Sequence, residues 1–521
     1  MRYVKHPPRR RDLPRALAGG LAGLSMVLLM SLLGERRPNV VMIVVDTLRA
    51  DAVSTEFGAG ETPHIAALAE RGTAFSRAFA HAPMTLPAHA ALFSGRQPHE
   101  TGVYNNGDRV PADLPLLAET LRDAGYQTEA VVSLATLWPE GAGTGLDRGF
   151  GAFDPGHYPV APAEDAGERF EAALERLDGD RPFFLFAHLS DPHEPYNEHA
   201  PHFHGKARGH RAELLLDGER VAELSTSISS DWSTDLELPP GTHSLVLRSD
   251  QDFKLRTLEC ELAPTFVEGE LLKPGRRVEV QLTNASKTSR SVPLRLWIND
   301  TPSREEIHAR YGSEVAAADE AIGRLIEGLK RRGLWDNTLV VLTSDHGEAL
   351  GEHGTIGHVV NLYDELLHVP LVMAHPALPG VSQPAISQPV GHVDVLPTVL
   401  DLLGVDAPSD LPGHSAVSAM AGACDAEARA YSSSIMNRQR GLSVYDRAGH
   451  YIDDDGQISW YDHGVDGAEA HDRAGEAPEL AVPYAIAAEA WWSGLEELVP
   501  PLDVERSAEE LEMLKLLGYA E

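Results

Sequence analysis

The chain is poor in cysteine. Its two, Cys260 and Cys424, stand too far apart for a metal knuckle or a CxxC redox pair, and they exclude a disulfide framework. Lysine is also scarce, at seven of the 44 basic residues, and the 78 acidic residues bring the formal charge to −34. A body this negative repels a polyphosphate backbone, which argues against nucleic acid as a partner. Internal repeats and low-complexity segments are absent, so neither a solenoid nor a fibrous array is expected. Long apolar runs are missing too, with one exception. Lys5, Arg9, Arg10, Arg11 and Arg15 precede an uncharged, largely apolar stretch from Ala16 to Gly34. That is a basic start followed by enough residues to span a bilayer as a helix, with no clear small-residue cleavage site after it. Residues 1–37 are therefore expected to be an uncleaved anchor or, alternatively, a cleaved leader. Either way the body is exported to the periplasmic or extracellular face.

What remains has the composition of an ordinary globular protein, 43% apolar and 23% charged. Its 521 residues exceed what one core usually organises, so a large domain with additions is expected. The segment Asn39-Val-Val-Met-Ile-Val-Val-Asp46 is a β-branched run ending in a carboxylate, as a strand buried on both faces would be. Phe183 to His188 and Asn337 to Thr343 repeat the theme. Between them lie helical patterns at Thr62 to Gly72, Leu114 to Gly125, Ser313 to Arg332 and Val395 to Leu403. Alternation of this kind predicts an α/β fold whose mostly parallel sheet is covered on both sides, with its site beyond the carboxyl ends of the strands. Residues 203–300 break the pattern with short alternating stretches and turn pairs such as Asp217-Gly218 and Pro240-Gly241, and read as an inserted β-sandwich. The catalytic domain is thus discontinuous, 38–202 and 301–425. Residues 426–521 form a small C-terminal sheet subdomain closing on a helix at Ser507 to Leu517.

Asp46 ends one strand, and Asp345-His346 end another within Thr343-Ser-Asp-His-Gly-Glu348. Alone, each has an ordinary reading as a helix cap or a structural pair. Together they offer two carboxylates and an imidazole, a three-ligand set of the kind a catalytic metal uses. Met84-Thr-Leu-Pro-Ala-His-Ala-Ala-Leu-Phe-Ser-Gly-Arg96 places a hydroxyl at a helix start. Thr85 is either a plain N-cap with Pro87 in the first turn or a nucleophile activated by a nearby metal.

Taken in order, these segments resemble the sulfatase family of the alkaline-phosphatase-like superfamily. Pro38 to Asp46 is similar to the family's opening strand and first metal ligand. Thr85 to Arg96, with Pro98-His99 and Gly102-Val103, resembles the nucleophile segment. Asp191-Pro-His-Glu-Pro-Tyr196 resembles a His-containing loop, and Ser344 to Glu348 with Gly351-Glu-His-Gly354 the second metal segment. Leu362 to Leu366, Val369-Pro370, His392 to Thr398 and Leu516 to Tyr519 are further matches. The resemblance implies an alkaline-phosphatase-like α/β sandwich with the inserted β-sandwich left unexplained.

The departures are at the centre of the site. Usual sulfatases carry Cys or Ser at the head of the nucleophile segment, converted to formylglycine, with Arg four residues later. Here those positions hold Thr85 and His89, and Thr47 stands where a second Asp follows the first. Threonine cannot become formylglycine. It resembles instead the covalent phospho-threonine chemistry of phosphodiesterases and head-group transferases in the superfamily. Ser133 and His358 stand near the places of two active-site lysines.

The resulting expectation is a hydrolase of sulfate or phosphate esters. Asp46, Asp345, His346 and the Thr85 hydroxyl hold a divalent metal (Ca, Mg, Mn or Zn), with His353 as a further ligand if there is a second ion. Thr85 attacks, His193 or His358 protonates the leaving oxygen, and His89 steadies the transferred group. The substrate is an anionic ester of a glycan, lipid or small molecule, and the membrane is met through the amino terminus. A phosphoethanolamine- or glycerophosphate-type transferase and a non-catalytic glycan-binding relative are the alternatives.

Overall fold

The structure is a computed structural model of the chain. It describes residues 37–494, apart from 54–61, 140–142, 157–162, 178, 195, 197–209, 227–229, 261–274, 301–303, 359–360, 377, 379–384, 409 and 437–438. The expected anchor and the expected final helix at 507–517 therefore lie outside the described residues. Among the described residues, no helix is long and apolar enough to cross a membrane.

The first strand, β1 (Asn39–Val45), is buried along its whole length. Val40, Met42 and Val44 point into one apolar core, and Val41, Ile43 and Val45 into the other. A run with no polar alternation is stable only where both faces are covered, and each buried aliphatic side chain contributes about 1.5–3 kcal/mol. Around β1 the chain builds an eight-stranded sheet from β2 (Thr73–Phe79), β3 (Gln127–Val131), β4 (Ala152–Asp154), β5 (Phe183–Leu189), β12 (Thr338–Thr343), β15 (His368–Ala374) and β16 (Val390–Gly391). Its order is β16-β2-β15-β12-β1-β5-β3-β4. The pairs β12–β1, β1–β5, β5–β3 and β3–β4 are all parallel, while β15 runs antiparallel to both its neighbours. The four strands β12, β1, β5 and β3 thus end on one edge, where the site forms.

Helices α1 (Pro63–Arg71), α3 (Ala163–Arg176) and α4 (Arg304–Arg331) cover one face of the sheet. The helical pattern read at Ser313 to Arg332 lies within α4, which buries the apolar stripe Val315, Ala318, Ile322, Leu325 and Leu329. On the other face lie α2 (Thr85–Ser94) and α5 (His392–Leu403).

The insert is all antiparallel: β6 (His210–Leu216), β7 (Glu219–Thr226), β8 (Ser230–Leu238), β9 (Gly241–Glu259), β10 (Gly275–Asn284) and β11 (Arg290–Asp300). These strands belong to one connected sheet because β9, 19 residues long, pairs with β6 over its first half and with β11 over its second. A strand that changes partners in this way makes a corner. Leu236 and Leu238, Leu245 and Leu247, Val280 and Leu282, and Val292 and Leu294 give the insert its own small core.

Between the insert and the C-terminus, β13 (Ala349–Leu350) and β14 (Ile356–Gly357) form a short hairpin beside the site. A final four-stranded antiparallel sheet runs through β17 (Ala430–Met436), β18 (Gln439–Tyr445), β19 (Gly449–Asp454) and β20 (Gln457–Asp462). It is packed by α6 (Pro478–Gly494) through Ala481, Tyr484 and Ala488.

Candidate active site

Asp46 follows β1, and its backbone N–H donates to the Leu189 carbonyl at 2.8 Å, so the turn out of the strand is pinned to β5. The next residue, Thr47, has φ +58°, a left-handed conformation that side-chain-bearing residues adopt at a cost. The strain turns its hydroxyl back onto the Asp46 carbonyl, at 2.7 Å, while its N–H donates to Asp345 Oδ1. Both Asp46 carboxylate oxygens are buried without a hydrogen-bond partner. Asp345 follows the parallel strand β12. Its Oδ1 also accepts the His346 N–H at 2.8 Å, which leaves Oδ2 unpartnered. His346 donates from Nδ1 to the Gly347 carbonyl at 2.9 Å, so its lone pair lies on Nε2. That nitrogen is 3.5 Å from Asp345 Oδ2 and 4.0 Å from Asp46 Oδ1. Gly347 allows this packing, since a Cβ there would stand 2.1 Å from the Glu365 carbonyl oxygen.

Asp46, Asp345 and His346 each present one ligand atom within 4.8 Å of the others. Every one of those atoms lacks a protein partner, and the second atom of Asp345 and of His346 is fixed by backbone. Burial pushes the Asp345 carboxyl well up, and the Asp46 charge pushes it further. Asp46 is held below the usual carboxylate range because His188, His193 and His346 outweigh its burial. Two carboxylates at this depth need a cation between them before both can ionise. The donor set fits a divalent metal.

Helix α2 is buried from end to end. Its N-cap is Met84, in extended conformation, and makes no side-chain capping bond; Thr85 is the first helical residue and Pro87 the third. The plain capping reading of Thr85 therefore fails: Thr85 is inside the helix, and the Ala88 N–H it would have capped donates to the Met84 carbonyl at 3.1 Å, while the Leu86 N–H donates to Asn106 Oδ1 at 2.8 Å. Thr85 Oγ is buried and has no hydrogen-bond partner. His89, one turn later, lies with Nδ1 2.8 Å from the Thr85 carbonyl oxygen and 3.6 Å from Asp345 Oδ2, which brings the helix start against the cluster. Its proton is committed on that side, leaving Nε2 with a bare lone pair. Burial and the neighbouring His188 lower its pKa to about 3.

Across the cluster stands His188, within β5 beside Val44 of β1, with Nε2 3.6 Å from Asp46 Oδ2. Ser133 donates its hydroxyl to the His188 carbonyl at 2.7 Å, a bracing contact at the place where a lysine was sought. His193 donates from Nδ1 to the Glu194 carbonyl at 2.6 Å. Its burial would lower its pKa, but Asp46 and Glu348 raise it above the ordinary value. His358 bonds through Nδ1 to Glu348 Oε1 at 3.0 Å, and its ring lies 4.6 Å from that of His346 and 4.9 Å from that of His193. Burial, then His193, lowers the His358 pKa to about 3. His353 is elsewhere. Its Nδ1 bonds Glu365 at 2.9 Å, its Nε2 the Glu469 carbonyl at 3.0 Å, and Tyr363 stacks on its ring, so the structure does not offer it as a ligand.

Residues 38–405 match the family model described as Sulfatase. The chain belongs to the sulfatase family. This sulfatase-family chain is 27% identical to the N-acetylglucosamine-6-O-sulfatase of Bacteroides thetaiotaomicron over 409 residues, covering 73% of this chain and 70% of the relative. It is 24% identical to the choline-sulfatase of Rhizobium meliloti over 424 residues, with 73% and 70% covered. Its fold is similar to that of the phosphonate monoester hydrolase of Agrobacterium radiobacter, with TM-score 0.61, 21% identity, and 88% and 95% of the two chains covered. It is an ester hydrolase of the sulfatase superfamily, with the mixed α/β fold of its neighbours.

The sulfatase-family body holds a second group of potential ligands among the described residues: Asp364, His450, His463 and Glu469. Here the glutamate and histidine atoms already serve one another, and Asp364 Oδ1 is the one carboxylate oxygen of the group left without a hydrogen-bond partner. Glu469 Oε1 accepts from His450 Nδ1 at 2.5 Å and His463 Nε2 at 2.8 Å, and Oε2 accepts the Asp364 N–H at 2.9 Å. Arg77, which can only donate, lies 3.1 Å from His463 Nδ1, so the His463 proton must sit on Nε2, away from any metal role. This group clamps the C-terminal sheet to the body.

Proposed function

We propose that this sulfatase-family hydrolase is metal-dependent and cleaves sulfate, phosphate or phosphonate esters with Thr85 as its nucleophile. One observation carries the reading: the Thr85 hydroxyl is buried at a helix start, caps nothing and has no protein partner. A hydroxyl in that state costs stability unless it serves a ligand. Asp46, Asp345 and His346 would hold the ion, with Ca, Mg, Mn or Zn compatible with their mixed oxygen and nitrogen donors. Bound there, a divalent ion lowers the pKa of a coordinated hydroxyl and offsets charge on the ester oxygens.

The chain's own residues do the rest. Thr85 gives up its hydroxyl proton to solvent, its Oγ attacks in line, the bond to sulfur or phosphorus forms, and the bond to the leaving oxygen breaks. His193 hands that oxygen a proton from Nε2; its raised pKa, maintained by Asp46 and Glu348, supports the assignment. Water then hydrolyses the threonine ester. The similarity to enzymes named for sulfated sugars, choline sulfate and phosphonate monoesters favours an anionic ester of a sugar, lipid head group or small molecule. The body is exported and tethered by residues 16–34; a reporter that works only outside the cytoplasm, fused after Gly34, checks this by its activity.

The decisive experiment assays aryl sulfate, aryl phosphate, aryl phosphodiester and aryl phosphonate in parallel and measures bound metal. Thr85→Ala is expected to lose about a thousandfold or more on the preferred ester while keeping its metal. Undiminished turnover in Thr85→Ala would sink the nucleophile assignment.

A further inference from the structure

We propose that the amino edge of the central sheet faces the bilayer in which residues 16–34 sit, and that the site, on the opposite edge, opens away from it. The ester then arrives from the aqueous side and is not a lipid head group of the anchoring leaflet. The inference rests on the reading that residues 16–34 tether the body.

The tether is short and its far end is fixed. Arg37 Nη1 donates to the Ala124 carbonyl at 3.0 Å, and the Arg37 carbonyl accepts from Asn337 Nδ2 at 3.3 Å. Ala124 stands just before β3 and Asn337 just before β12, so both bonds pin Arg37 to the amino edge of the sheet. From Gly34 to Arg37 there are three peptide steps, a reach of at most about 11 Å. From there β1 runs seven residues to the site, which puts Asp46 about 20 Å further on. Laying the body on its side does not bring the site down to the lipid. β1 is the fifth of the eight strands, with β5, β3 and β4 beyond it on the nearer flank. At about 4.8 Å per strand that flank is about 14 Å away. On each face of the sheet lies a layer of helices about 10 Å across.

Charge divides the two edges in the same sense. The segments that lead into β1, β3, β5 and β12, residues 35–38, 122–126, 175–182 and 330–337, hold eight basic and six acidic residues. Those that leave the same strands at the site, residues 46–52, 132–138, 190–196 and 344–358, hold one basic and seven acidic residues. An anionic bilayer surface therefore repels the site edge and accepts the other. On the amino edge the half-buried ring of Trp335 lies 4.4 Å from the Arg71 guanidinium carbon and 5.7 Å from Lys330 Nζ. An aromatic ring flanked by cations suits the boundary between lipid and water.

The test uses the full chain, with Cys260→Ser and Cys424→Ser, in vesicles of phosphatidylcholine and phosphatidylglycerol that carry a head-group spin-labelled lipid. A single new thiol holds a fluorophore. One variant is Asp336→Cys, at a side chain 90% exposed next to Trp335; the other is Ile356→Cys, 46% exposed on β14 beside the site. The label at Asp336→Cys should be quenched about threefold more strongly than the one at Ile356→Cys, since the two stand about 20 Å apart along the sheet. Arg181→Cys, on the turn before β5, gives the same readout if Asp336→Cys does not fold. Equal quenching, or stronger quenching at Ile356→Cys, in chains that float with the vesicles would overturn the orientation and leave the tether standing. Chains that stay behind when the vesicles float, or that high salt strips from them, would overturn the tether and the orientation with it. Release of a head group from sulfatide or phosphatidylethanolamine placed in the anchoring leaflet would overturn the aqueous approach of the substrate.

Discussion

Two groups of histidines and carboxylates are buried in this protein, and they differ in where their lone pairs go. At the strand ends, both oxygens of Asp46, Oδ2 of Asp345 and Nε2 of His346 have no protein partner. In the clamp, Glu469 gives both its oxygens to His450, His463 and the Asp364 backbone. Residue type and burial are nearly the same in the two places. An unpartnered buried polar atom costs about 1–3 kcal/mol, so the strand-end group is a net burden on the folded chain until a cation binds. The clamp spends the same chemistry on holding two sheets together. The clamp leaves Asp364 Oδ1 alone without a partner, so the number of unsatisfied atoms that converge, more than composition, separates the two groups.

The contrast is sharpest in a pair of substitutions. Asp345→Asn should abolish metal binding and lower activity about a thousandfold or more, measured by metal analysis and turnover. With metal chelated, it should melt no lower than the parent, because one of two repelling carboxylates has gone. Added metal should stabilise the parent by about 4 kcal/mol at a thousand times its Kd and leave Asp345→Asn unmoved, by thermal melts across a metal titration. A parent melt that ignores every divalent ion would remove the distinction.

Glu469→Ala should do the reverse. It leaves two histidines and the Asp364 N–H without their acceptor, and a loss of about 2–4 kcal/mol is expected in denaturant unfolding. Its bound metal should equal that of the parent. Because the Glu469 carbonyl also receives His353, a small fall in activity transmitted through the β13–β14 hairpin is consistent with the clamp; a loss of metal is not.

How much of this was legible in the sequence follows from which contacts are local. The buried strands, the helix stripe on α4 and the strand-end residues Asp46, Asp345 and His346 could be read because each is announced by its own neighbours in the chain. Thr85 could be found, but whether it caps the helix depended on where the helix starts, one residue earlier at Met84. His188 reads in the sequence as the end of an apolar strand on the site's edge, with no role attached. Its role comes from lying beside Val44 in the sheet, a relation that only strand order reveals. The Glu348–His358 bond waited on the register of a hairpin. His353 was a candidate only for a second ion, and its partners are Glu365, twelve residues away, and the Glu469 carbonyl, 116 residues distant.

The smallest expected effect tests the clamp by pH. Burial pushes the Glu469 carboxyl up, but His450 and His463 outweigh it and hold the folded pKa below the ordinary value of 4.5. A group depressed in this way adds stability that is complete above its unfolded pKa and is lost as pH falls through the folded one. Around it stand Asp364, which opposes the shift, and Arg77 beyond His463. Glu469 also raises the His463 pKa, so in the chelated protein the stability difference between the parent and Glu469→Gln should grow as pH falls through the histidine range and narrow below about 4.5 as Glu469 protonates. Urea unfolding at several pH values measures that difference directly. A gap that goes on widening below about pH 4.5 would mean that Glu469 is protonated in the native clamp and donates where it is described as accepting.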